Sequence, residues 1–204
     1  MSDEAIRQTL EWVEGWLRTI SDRRALATIK DALERYVELV NRQLGAVTPG
    51  CVTFDPLPMG AAYAVGTSFV EGIVTMEVQQ FQWGNGGWTG LGFAQVESGG
   101  LAGGSGHELE VNNVNVDFDF GGPVSAVTLN YGEYGGNLNI NLNGAFQNFQ
   151  DFPAINGAAI GGANVAVIAN PVPGGMQGAL ELQGTIKSFA IGGQELWIDD
   201  VCYK

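Results

Sequence analysis

The sequence predicts a mainly β protein, an antiparallel sandwich or barrel preceded by an N-terminal α-helical hairpin. Charge carries the first part of this reading. Residues 1–45 hold eight Asp/Glu and seven Lys/Arg, whereas residues 46–204 hold fourteen acids and only two bases, Lys187 and Lys204, which is −12 of the total −13. Glycine divides at the same place: Gly15 and Gly45 precede it and the other 29 of 31 follow. Past the seam, short alternating apolar runs are separated by Gly, Asn or Pro, the pattern of strands and tight turns. Three segments follow: a helical hairpin over 1–45, a linker over 46–50 and a β domain over 51–204.

In the first segment Ser2 or Asp3 can cap a helix, with Glu4 in its first turn. Ile6, Leu10, Val13, Leu17 and Ile20 recur at spacings of four and three, a heptad seam widened by Trp12 and Trp16. Ser21 or Asp22 can cap a second helix, on which Leu26, Ile29, Leu33, Tyr36, Val40 and Leu44 repeat the pattern. Gly45 suits the C′ position and Pro49-Gly50 prevents continuation. Two short helices cannot hide both stripes and two tryptophans in each other. The hairpin therefore packs on its own β domain, joins other copies through residues 2–45 as a homo-oligomer, or docks a different protein.

In the β domain the runs expected as strands are 51–55, 61–65, 69–82, 91–97, 107–112, 114–120, 124–131, 137–142, 163–169, 177–187 and 194–203. Turn signals stand between them, among them Gly84-Asn85-Gly86-Gly87, Gly135-Gly136 and Gly192-Gly193. No helix-period segment interrupts the series, so βαβ units are not expected. Asn137, Asn139, Asn141 and Asn143 alternate with Leu138, Ile140 and Leu142, so the amides share the face away from the core. That face is either solvated or a ladder that holds sugar hydroxyls or a second sheet.

Composition excludes several partners. Charged residues are only 15%, below the usual ~25%, so Asn, Gln, Thr and Gly cover much of the surface. The acidic domain repels phosphate, which speaks against nucleic acid and anionic membranes. No run approaches the ~20 apolar residues of a membrane span. Met1-Ser2-Asp3-Glu4 has no signal-peptide character. A cytoplasmic location is the default expectation, and an extracellular one follows if an export signal has been removed or if Cys51 and Cys202 are oxidised. These two cysteines bracket the β domain, as buried thiols or as a disulfide tying its ends.

The two ends of the β domain read Cys51-Val52-Thr53-Phe54-Asp55 and Leu196-Trp197-Ile198-Asp199-Asp200-Val201-Cys202-Tyr203. If they pair antiparallel with Cys51 opposite Cys202, alternation makes Asp55 and Asp200 diagonal neighbours on one face, within reach of a shared hard cation. The aromatic–acid pair in the first strand and the aliphatic–Asp–Asp–Val run in the last resemble the jelly-roll sandwich modules of the galactose-binding-like and carbohydrate-binding-module class. The resemblance implies a jelly-roll-like antiparallel β-sandwich and a structural calcium, with Asp55 and Asp200 as ligands and Asp199 as a third. Pro56 and Pro58, directly after Asp55, depart from the pattern.

Trp83 and Trp88 flank a glycine-rich tip, and Tyr131 and Tyr134 flank Gly132-Glu133. Such rings either fold back over the sandwich or stand exposed, where a flat apolar ring stacks on a sugar face. Phe118, Phe120, Phe146, Phe149 and Phe152 read as core. The single histidine, His107, has no nucleophile-elbow pattern or metal-ligand cluster around it, and Asp117 and Asp119 read as solvated strand acids. The expectation is a non-catalytic module with Trp83, Trp88, Tyr131 and Tyr134 facing a glycan. The alternative is a structural protein that self-assembles through its helices and sheet faces into a filament or shell.

Overall fold

Alternate burial along the strands builds the β domain. The computed structural model describes residues 47–204 and, before them, residues 29, 30, 33 and 35, and the chain divides into two units, Met1–Leu44 and Gly45–Lys204. Ile29, Lys30, Leu33 and Arg35 have helical backbone. The hairpin expected over 1–45, and any assembly through 2–45, otherwise lie outside the described residues.

In chain order the strands are β1 (Gly50–Val52), β2 (Ala62–Ala64), β3 (Ser68–Glu71), β4 (Val74–Gln82), β5 (Trp88–Thr89), β6 (Phe93–Glu97), β7 (Glu108–Asn112), β8 (Val114–Asp119), β9 (Val124–Glu133), β10 (Leu138–Leu142), β11 (Ala145–Phe149), β12 (Ala159–Ile160), β13 (Ala163–Val172), β14 (Gly175–Ile186), β15 (Phe189–Gly193) and β16 (Leu196–Tyr203), with a 3-10 turn at Phe152–Ile155. They form two antiparallel sheets. One runs β12-β13-β14-β9-β16-β7-β6-β2, with β1 on β16, and the other runs β11-β10-β15-β8-β4-β3, with β5 on β4. Both contribute to one apolar core, so the arrangement is sandwich-like. Val78, Val116, Ile140 and Ile191 stand in one row across the second sheet, all 0% exposed. Burial of each such side chain stabilises by about 1.5–3 kcal/mol.

Several boundaries differ from the sequence reading. The run 69–82 breaks into β3 and β4, because Gly72 adopts φ +59 in a two-residue hairpin turn. The run 194–203 begins only at Leu196, and the glycines expected as a turn before it end a strand of their own, β15. The short strands β5, β11 and β12 carry too few residues to show a period.

Cys51 pairs with Cys202 in the register of β1 on β16, and the two are joined as a disulfide spanning 151 residues. Past this bond β16 departs from simple alternation: Asp200 takes φ +50 and the pairing with β9 shifts between Asp199 and Cys202. This bulge lets Ile198 and Val201 both enter the core, while Asp199 is 1% exposed.

Candidate functional site

With the valine and isoleucine row turned inward, the outer face of the second sheet is set by register. One row reads Gln79, Asn115, Gly192, Asn139, Asn148, and the next reads Glu77, Asp117, Ala190, Asn141, Phe146. The middle strand offers only Gly192 and Ala190, so the face dips at its centre between longer side chains. A side chain at Gly192 would strike Asn115 Oδ1 and the Val114 carbonyl, so glycine is required for this close approach.

The face is not left to solvent. Gln82, at the end of β4, donates its N–H to Asn139 Oδ1 at 2.8 Å, and its carbonyl accepts from Asn139 Nδ2 at 3.0 Å, Asn148 Nδ2 at 2.8 Å and Asn137 Nδ2 at 3.3 Å. Asn139 is 1% exposed as a result. These bonds strap the β4–β5 hairpin onto the amide row. Its tip closes with Gly86 N–H on the Trp83 carbonyl and Gly87 N–H on Asn85 Oδ1, with Gly86 at φ +85.

Trp88, on the returning strand, stays 52% exposed and leans on Phe146 at a centroid distance of 5.3 Å. Below them lies a cavity of about 60 Å³ lined by Gln79, Trp88, Asn115, Asn141, Phe146 and Ala190. Asn115 is 5% exposed, and its Nδ2 donates to the Gln80 carbonyl at 2.6 Å, which fixes the amide and leaves Oδ1 buried with no donor. Asn141 Oδ1 is also buried without a donor. Two residues on, Asn143 shows the contrast. Its Oδ1 accepts from Lys187 and Ser188 N–H at 2.6 and 3.3 Å, and its Nδ2 donates to the Gly161 and Thr185 carbonyls at 2.7 and 2.8 Å. A buried carbonyl oxygen without a partner costs about 1–3 kcal/mol, so the notch favours a water or other group that brings hydrogen-bond donors.

The four aromatics expected at a glycan site do not meet in one place. Trp88 lines the notch. Trp83 is half-buried, edge-on to Phe81 at 5.3 Å. Tyr131 is 0% exposed, its ring tilted against Phe152 at a centroid distance of 3.9 Å, and its hydroxyl donates to the Ile168 carbonyl at 3.2 Å. It continues the inward series Val127, Leu129, Tyr131 along β9, so its ring is core. Tyr134 sits on the other sheet, edge-on to Trp197, with its hydroxyl donating to the Leu101 carbonyl at 3.3 Å. Phe146, expected in the core, stands on the outer face instead. The outward alternation of Asn139 and Asn141, carried across to β11, was the signal that could have placed it there.

The acids expected as calcium ligands lie at the β1–β16 corner. The bulge exchanges their roles: Asp199, not Asp200, shares the environment of Asp55 and Glu108. Burial first, then Asp200, Glu108 and Asp55, push the Asp199 carboxyl up to about 7, partly offset by the Asp200 N–H at 2.7 Å. Asp200 turns to Asn130, whose Nδ2 donates to it at 3.0 Å, and Asp55 accepts the His107 N–H at 2.7 Å. Glu108 accepts the Leu101 and Ala102 N–H groups at 3.0 and 2.7 Å. Among the described residues no group of three or more His, Cys, Asp or Glu is arranged to hold a metal ion, and no helix is long and apolar enough to cross a membrane. Compared with known proteins, the chain matches no family model, no curated protein and no solved structure.

Proposed function

We propose that the β domain is a non-catalytic binding module for carbohydrate, with its site at the Trp88 notch. The observation that carries this reading is an exposed indole set beside two buried amide oxygens that lack donors. A sugar supplies both complements, an apolar C–H face for the ring and hydroxyl protons for the amides. The cavity has room for about two waters, so it takes one hydroxyl-bearing arm while the sugar ring lies on Trp88 and Phe146. The adjacency of β1 and β16 supports the jelly-roll reading. A hard cation between Asp55 and Asp199 would relieve their mutual repulsion, and a homo-oligomer through residues 2–45 would multiply a weak single-site affinity. The Cys51–Cys202 bond favours an oxidising compartment.

The test is retention on a panel of immobilised neutral polysaccharides. Trp88→Ala should weaken retention at least about tenfold, the loss of one stacking contact, with unchanged circular dichroism. If wild-type protein passes every matrix unretarded, the reading fails. The structural alternative is favoured by apolar side chains exposed on the β3–β4 edge, Val70 at 55% and Ile73 at 37%. It gains if Trp88→Ala changes sedimentation rather than retention.

A further inference from the structure

The two donor-free oxygens in the notch are both acceptors, and the chemistry beside them has the same sign. On the outer face, one residue pair along from Gln79 and Asn115, Glu77 stands directly opposite Asp117. Like charges in that position repel. Asp117 is half-buried, and burial, Glu77 and Asp119 all raise its carboxyl above the usual range. Asp117 also pairs with Ala190, a wall of the notch, so the Glu77–Asp117 pair lies on the same sheet face, beside residues that line the cavity. The β domain holds only two lysines and no arginine. Lys187 lies instead by an open depression with Asn143, Gly161 and Thr185.

A group seated here lies against the side chains of Asn115 and Asn141, with the Glu77–Asp117 pair as neighbours on the same sheet face. A neutral hydroxyl can satisfy one of the amides, but it leaves the carboxylate repulsion in place. A calcium ion takes six to eight oxygen ligands in a converging shell. An ammonium brings three donors and one positive charge without that geometric demand. We propose that the Trp88 notch selects amine-bearing sugars, with the ring on Trp88 and Phe146 and the ammonium held by Asn115, Asn141 and the Glu77–Asp117 pair. This rests on the carbohydrate reading of the same site and narrows it to one substrate class.

The experiment is titration calorimetry of the full chain in mildly acidic buffer. Three pentasaccharides of equal linkage serve as probes: β-1,4-glucosamine, its N-acetylated form and cellopentaose. The free-amine sugar should bind about tenfold tighter than the other two, the value of one charge-assisted contact over a neutral one, and added salt should shrink that preference. In Asp117→Asn and in Glu77→Gln the ratio of free-amine to neutral affinity should fall toward one. Neutral sugars binding as well as or better than the amine would overturn the inference while leaving the carbohydrate reading intact. Binding that requires calcium and vanishes with chelator would also overturn it, since the carboxylates would then hold metal. Heat-silent titrations with all three sugars, confirmed by competition against Trp88 fluorescence, would remove both.

Discussion

The loop between β6 and β7 and the notch on the opposite sheet both bury polar side chains, and they differ in what those side chains are bonded to. Around the loop, the buried carboxylates of Glu108 and Asp199 and the exposed one of Asp55 accept backbone N–H groups and so fix the path of the chain. Glu133 does the same for Phe152 at 3.0 Å. The loop leaves one polar atom, His107 Nδ1, buried without a partner, and in the notch Asn115 and Asn141 keep two buried oxygens that nothing in the described chain meets. A satisfied buried polar group explains itself by the fold. An unsatisfied one raises a cost that the fold alone does not recover, and a water or a ligand that brings donors relieves it.

The comparison breaks most sharply at Glu108. Glu108→Ala strands two amide donors, one on the buried Ala102, and should lower stability by about 2–4 kcal/mol in urea denaturation. A loss under about 0.5 kcal/mol would show that the acids do not organise the loop.

Next in size is the effect of pH. Glu133 and Asp199 both rise to about 7 from ordinary values of 4.5 and 3.8, chiefly through burial. The folded state therefore holds protons that the unfolded state releases. Their stabilising contribution is complete in acid below the ordinary values and is lost as pH rises toward about 7. The sign is thus a higher melting temperature near pH 5 than near pH 8, by an amount on the order of 2 kcal/mol in total. A flat thermal profile over that window would contradict it. If calcium restores the loss at the upper end and chelator abolishes the gain, a cation takes the place of the proton at the Asp55–Asp199 corner.

The smallest effect sharpens the other side. Asn141→Ala removes an acceptor that bonds nothing, so the melting curve should move by less than about 1 kcal/mol, while retention on polysaccharide falls. A loss above about 2 kcal/mol would make Asn141 part of the architecture and remove it from the site.

Much of this was legible in the sequence, and the exceptions have physical causes. Alternation placed β8, β9 and β10 well, since one face of each is apolar. It failed where a single residue changes the period: Asp200 at φ +50 moves Asp199, rather than Asp200, toward Asp55. The outward set of Asn139 and Asn141 was readable, but its covering was not, because Gln82 meets Asn139 across 57 residues of chain. Trp88 could be suspected from its glycine neighbours, whereas Tyr131, in phase with Val127 and Leu129, was a core residue on the same alternation that located the strands.

The strand pair Gly50–Val52 and Leu196–Tyr203 has a mechanical consequence. Gly50 lies opposite Tyr203, and one residue inside that pair a covalent bond joins the strands. Tension applied at these two positions runs through the sulfur–sulfur link and bypasses the chain enclosed between Cys51 and Cys202. A pulling experiment on the oxidised domain should therefore register no unfolding extension from the sheets, and reduction should release their full contour length.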